Sequence, residues 1–179
     1  MATRKMHHKI WSLIGILVIV ILLLGSVTQT VAETKQFRNV GQFSKMEVIL
    51  AGDVGGHLLI IFEWRGLQFS DGEVAILTGW GTCDIVKGDG PCEGYYLSKY
   101  EDGSTMVSKT KFITTGSPDG KTADYEGTGE YTGGTGRFAG IKGSLSFKGK
   151  RFTPISPGLK ETRGDGVADG TATYTLPSR

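Results

Sequence analysis

Polar and apolar residues alternate with a period of two along most of the chain. In the stretch YEGTGEYTGGTGRFAGIKGSLSF, from Tyr125 to Phe147, two alternating runs flank a glycine-dense corner. Tyr125, Gly127, Gly129 and Tyr131 fall on one parity, and Asp124, Glu126, Thr128 and Glu130 on the other. Ile141, Gly143, Leu145 and Phe147 alternate in the same way with Lys142, Ser144, Ser146 and Lys148. Successive strand side chains point to opposite faces, so this pattern predicts two antiparallel strands around an ordered turn. Upstream, strands are expected at Phe43–Leu50, His57–Phe69, Glu73–Val86, Cys92–Tyr100 and Thr105–Thr115, and a last one at Val167–Leu176. In His57–Phe69, Leu58, Ile60, Phe62 and Trp64 share one face while Leu59, Ile61, Glu63 and Arg65 share the other. In Glu73–Val86, Val74, Ile76, Thr78 and Trp80 alternate with Ala75, Leu77, Gly79 and Gly81. Met106, Ser108, Thr110 and Phe112 stand opposite Lys109 and Lys111.

Turn signals separate these runs at Gly52–Gly56, Ser70–Gly72, Glu101–Gly103 and Gly116–Gly120. No segment after residue 32 sustains a 3.6-residue apolar period. The count is eight strands joined mostly by hairpin-length turns. A sandwich of two sheets would use the same number. The short turns favour an all-β, eight-stranded antiparallel up-and-down barrel, which also removes exposed sheet edges.

The first 32 residues read differently. Met1–Lys9 is basic, Ile10–Leu24 (IWSLIGILVIVILLL) is unbroken by charge, and GSVTQTVA follows with small residues at Thr30 and Ala32. That layout predicts an N-terminal hydrophobic signal or anchor helix over 1–32, either cleaved after Ala32 or retained as a membrane anchor. Membrane contact is expected only through residues 10–27, and only if the segment is retained. Either outcome puts the barrel domain, 33–179, outside the cytoplasm, whether periplasmic, secreted or membrane-anchored, because the basic end stays inside.

Composition adjusts this picture in three places. The 28 glycines follow no collagen period and sit beside strand patterns, where they let a barrel wall curve tightly. Setting aside the leader cations Arg4, Lys5 and Lys9 leaves 17 basic against 18 acidic residues. A near-neutral body has no electrostatic footprint for nucleic acid. The two cysteines, Cys83 and Cys92, predict a disulfide in an exported chain, closing a short loop through Gly88-Asp89-Gly90-Pro91. They are too few for a zinc site, and no metal is expected.

Thr132-Gly133-Gly134-Thr135-Gly136-Arg137-Phe138-Ala139-Gly140 resembles the TGGSG-x-F-x-G type corner of the allene oxide cyclase and dirigent superfamily, and Thr173-Tyr174-Thr175-Leu176-Pro177 is similar to its last strand. The resemblance spans about residues 35–177 and implies a calycin-like barrel of the bacterial type, whose members often have no assigned activity. It also implies a homo-oligomer, since dirigent-like relatives form trimers. As an enzyme the chain would be a cofactor-independent isomerase or cyclase, or a dirigent-type guide of phenoxy-radical coupling. Plant cyclases use a carboxylate near the first strand, whereas Gln36–Phe43 here carries no acid. The corner has its own physical reading: Phe138 should anchor it by plugging one barrel end. A phosphate cradle is excluded, because neither a Lys-Ser/Thr pair nor a helix pattern follows the glycines.

Two functions follow. The first is binding of a small apolar or aromatic molecule in the barrel, without a cofactor, by Phe62, Trp64, Trp80, Tyr96, Phe112, Tyr125, Phe147 and Tyr174. Rings gathered on one face make the usual small-molecule pocket, although each singly is also ordinary core. The second is chemistry by a buried acid whose pKa burial would raise. Asp84, which shares its face with Trp80, is the better candidate and Glu63 the weaker, with Arg65 and Lys99 as neutralising partners. His57 is expected at the surface. One histidine in the body and no nucleophile elbow exclude Ser/His/Asp catalysis.

Overall fold

A computed structural model describes residues 31–153 and 164–177. The predicted leader helix lies outside the described residues, apart from its last two positions, 31 and 32. Among the described residues no helix is long and apolar enough to cross a membrane. Eight strands, β1 (Glu33–Leu50), β2 (His57–Ser70), β3 (Glu73–Val86), β4 (Gly90–Tyr100), β5 (Thr105–Gly116), β6 (Ala123–Thr135), β7 (Lys142–Arg151) and β8 (Gly166–Thr175), follow one another in sheet order. β1 pairs with β8 to close the barrel, and every pairing is antiparallel. The sandwich alternative is thereby removed.

Two hairpins show why the turns are so short. Asp71-Gly72 and Lys87-Gly88 both hold positive φ, at 49° and 79° and at 53° and 96°. Two consecutive residues of this kind match the right-handed twist of the strands they join. The second turn sets Cys83 directly opposite Cys92 across β3 and β4, and the two are disulfide-bonded. Such bonds persist in oxidising, non-cytoplasmic surroundings.

β1 is longer than its pattern suggests. Its first half presents Phe37, Asn39 and Gly41 to the inside, so only one of three inward positions is apolar and the hydrophobic alternation vanishes. Backbone pairing with both β2 and β8 makes it a strand. On its outer side, Arg38 donates to both carboxylate oxygens of Asp169 at 2.7 and 2.8 Å. That pair is solvent-exposed, so screening by water leaves it little weight in holding the seam.

The glycine content has a packing explanation. Along the wall, an inward ring on one strand lies against an inward glycine on the next. Phe37 faces Gly170, Phe62 faces Gly81, Phe112 faces Gly127, Tyr125 faces Gly149 and Tyr174 faces Gly143. Trp64 and Tyr96 flank Gly79 from either side. A Cβ at Gly170 would stand 2.8 Å from Phe37 Cε1, and one at Gly127 2.7 Å from Phe112 Cα. The rings occupy volume that only glycine leaves open.

Two clusters fill the ends. Phe138 lies in a 3-10 turn (Gly136–Phe138) after β6, is 6% exposed, and packs against Tyr100 and Tyr174 with ring centroids 5.0 and 6.5 Å apart. It plugs one end, as the corner pattern predicts. Arg137 covers that plug from outside, over Tyr100 and Phe138, with both terminal nitrogens on Glu73 at 2.8 Å. The second cluster, Leu58, Ile60, Phe62, Trp64, Leu77 and Ile85, belongs to β2 and β3. The other face of β2 is also apolar at Leu59 and Ile61, which are exposed.

Candidate functional site

Between the two clusters lies a cavity of about 100 Å³. Aromatic rings line it, among them Phe43 on β1, Phe62 and Trp64 on β2, Phe112 on β5, Tyr125 on β6 and Phe147 on β7. Phe43 sets its edge against Phe62 and Trp64 with centroids 5.2 Å away, and Phe112 lies 5.9 Å from Phe147. Buried hydroxyls line it as well, from Ser98 on β4 and Ser108, Thr110 and Thr114 on β5. Ser98 Oγ donates to Gln68 Oε1 at 2.7 Å. Asn39 on β1 and Arg151 at the end of β7 complete the polar lining.

Of the eight rings expected to line the lumen, Phe62, Trp64, Tyr96, Phe112, Tyr125 and Phe147 do so. Tyr174 is buried beside the Phe138 plug, outside the cavity lining. Trp80 requires a correction. It stands on the outer wall, 46% exposed, opposite the equally exposed Tyr95. The physical reason is volume. Phe62 and Trp64 need glycine across from them, so the parity of β3 holding Gly79 and Gly81 turns inward and Trp80 turns out.

The same inversion carries Asp84 outside, where its side chain is 61% exposed. Its partner is His57, whose Nε2 lies 2.7 Å from Asp84 Oδ1 while Nδ1 contacts Asp53 Oδ1. His57 is at the surface as expected, but clamped there between two exposed carboxylates, and Lys99 is not the partner of Asp84. Hydrogen bonds from the protonated imidazole to Asp84 and then to Asp53 raise its pKa. Glu63 lies on the outer parity of β2, though its side chain is only 14% exposed. It accepts from Arg65 Nε and from Ser44 Oγ, both at 2.7 Å. Ser44 is the extra residue of a β-bulge between Phe43 and Lys45, which brings its hydroxyl there. The hydrogen bond from Arg65, followed by that from Ser44, pulls the Glu63 pKa down to about 2. The expectation was a raised pKa from burial; in fact the ionised form is the one with partners.

The described lining of the cavity therefore holds no carboxylate and no imidazole. Its titratable groups are tyrosines and one arginine. Burial raises the pKa of Tyr96 and Tyr125 and pushes Tyr131 up to about 12. Tyr125 donates its hydroxyl proton to the Val167 carbonyl at 2.8 Å. Burial lowers the Arg151 pKa, with Tyr125 opposing. Asn39 Oδ1 is buried and has no hydrogen-bond partner among the described residues. Sequence reasoning did not nominate Asn39, Gln68, Ser98 or Arg151. For the β5 hydroxyls the signal was present, since Ser108, Thr110 and Thr114 share parity with Met106 and Phe112.

No family model matches the chain, and no curated protein matches it. Among solved structures it is similar to the pterocarpan synthase dirigent protein GePTS1, at 13% identity over 84% of this chain and 87% of that one, with a TM-score of 0.44. It is also similar to the conserved protein of unknown function RPA1785 from Rhodopseudomonas palustris, at 15% identity over 82% of this chain and 99% of that one, with a TM-score of 0.48.

Proposed function

We propose that the protein is an exported barrel that binds a small apolar or aromatic molecule in its lumen. The observation that carries this is the cavity of about 100 Å³, lined by aromatic rings and buried hydroxyls. A well-packed interior leaves few voids larger than a water molecule, so a space of this size needs an explanation. Its volume also limits the ligand. An apolar cavity of ~150 Å³ holds one benzene ring, whereas drug-sized ligands take ~300 Å³ or more. One ring, or a chain of comparable size, is therefore the expected occupant. The unpartnered Asn39 Oδ1 offers an acceptor for one hydroxyl on such a molecule. Export is supported by the signal-like residues 1–32 together with the Cys83–Cys92 bond.

The experiment is a fluorescence titration of the full chain carrying Trp11→Phe and Trp80→Phe, which leaves Trp64 in the cavity wall as the reporter. Benzyl alcohol should give a saturable change in Trp64 emission, and 2-naphthol, with two fused rings, a far weaker one. Absence of any saturable change with benzyl alcohol, phenol and hexanol would refute lumen binding. The alternative, a cyclase or a coupling guide, gains no carboxylate or imidazole for proton transfer from the described lining, because Asp84 and Glu63 both stand outside it.

A further inference from the structure

Arg151 is the one cation among the described residues that lines the lumen. It is the last residue of β7 and shares inward parity with Leu145, Phe147 and Gly149. This position is at the barrel end opposite the Phe138 plug, where β7 is paired with the first residues of β6 and β8, Ala123 and Gly166. Its Nε donates to the Thr153 carbonyl at 2.9 Å, which fixes the side chain by one edge. The other described arginines each hold a carboxylate: Arg38 with Asp169, Arg65 with Glu63, and Arg137 with Glu73. Arg151 pairs with no acid among the described residues.

A guanidinium stays protonated even where burial penalises its charge. Charges taken out of water are ordinarily paired, because an unpaired one forfeits solvation with nothing in return. The wall beside Arg151 supplies rings and hydroxyls, and no described residue of it carries a negative charge that would repel an incoming anion. The guanidinium fork suits a planar carboxylate, which it can engage through two parallel hydrogen bonds.

We propose that the lumen is selective for a small monocarboxylate, a single-ring or short-chain acid whose carboxylate rests on Arg151 while its apolar body lies among Phe62, Phe112, Tyr125 and Phe147. This proposal rests on the lumen being a ligand site, and it adds the charge and headgroup of the ligand. The cavity volume restricts the body to about one ring, so benzoate is the natural probe. Benzyl alcohol is its neutral counterpart and benzylamine its cationic one.

The test uses the full chain with Trp64 as the reporter, titrated at neutral pH with benzoate, benzyl alcohol and benzylamine. A charge-assisted fork should make benzoate bind about tenfold or more tighter than benzyl alcohol, with benzylamine weakest. In Arg151→Met the ratio of benzoate to benzyl alcohol affinity should fall to about one, and Arg151→Lys, which keeps the charge but loses the fork, should restore part of it. If benzyl alcohol binds the unaltered site and benzoate binds no tighter, the carboxylate proposal is overturned and lumen binding survives. A benzoate preference that persists in Arg151→Met overturns it too. If none of the three ligands moves Trp64 emission, lumen binding itself fails and takes this proposal with it. Should Arg151→Met fail to fold, the comparison of the three ligands on the unaltered residue still decides.

Discussion

Alanine at Gly127 tests whether rings and glycines hold this barrel together by fitting each other's volume. Gly127 lies on β6 between Phe112 of β5 and Phe147 of β7, paired in register with both. An added Cβ would stand 2.7 Å from Phe112 Cα and closer still to Phe112 Cβ and the Lys111 carbonyl. Two of those three atoms are backbone, so a side-chain rotation cannot relieve the clash and β5 must move away from β6. Overpacking of a core costs about 1–3 kcal/mol, and the backbone contact argues for the upper end. The matched control is Gly133→Ala on the same strand, where the new Cβ meets nothing within 4 Å. There, reduced freedom of the unfolded chain should stabilise by about 0.5 kcal/mol. The two variants should therefore differ by about 3 kcal/mol, or roughly 6–12 °C in Tm for a domain of this size. Urea unfolding with the disulfide intact, followed by Trp64 emission, measures the gap. Equal stability of the two variants, within about 0.5 kcal/mol, would refute the volume argument, since helix or strand propensity treats both sites alike.

Replacing Cys83 and Cys92 together by alanine should cost about 2–3 kcal/mol, the loop-closure contribution of a short ring, read as a lower urea midpoint that matches the reduced wild type. The imidazolium of His57, held by Asp84 and Asp53, has a pKa raised above its ordinary 6.5. Its stabilisation is present below that value and is lost as pH rises through the folded pKa. The urea midpoint should accordingly fall on going from mildly acidic to alkaline pH, and His57→Gln should flatten that dependence. Burial raises the pKa of Tyr96, Tyr100, Tyr125, Tyr131 and Tyr174 above the ordinary 10. Above that pH the unfolded chain releases protons that the barrel retains, so stability drops. Phenolate absorbance from these rings should appear together with unfolding, and smooth ionisation in a folded barrel would contradict their burial. Acrylamide should quench Trp80 efficiently and Trp64 weakly when each is studied as the only tryptophan, because only Trp80 faces solvent.

Much of the architecture was legible in order of residues alone. Period-two alternation located the strands from β2 to β8, the turn residues gave an up-and-down order, and the spacing of Cys83 and Cys92 predicted their bond. Even the plug was readable, because an aromatic residue embedded in the glycine corner has nowhere to pack except back onto the barrel end. The first half of β1 was not, since Phe37, Asn39 and Gly41 show no apolar alternation and that segment is held by pairing on both edges. Arg151 and Asn39 were illegible as lumen groups for a related reason: a polar side chain in a strand looks like an exterior one until its neighbours on both sides are known.

What alternation determines is which residues share a face. It does not determine which face is inside, and on β3 the ring of Trp80 suggested the wrong one. That choice is made across strands, by the rings of Phe62, Trp64 and Tyr96 demanding the empty volume over Gly79 and Gly81. Complementary volume is a property of pairs brought together by register, so only the closed barrel could settle it, and with it the exclusion of Asp84 and the inclusion of Arg151 at the site.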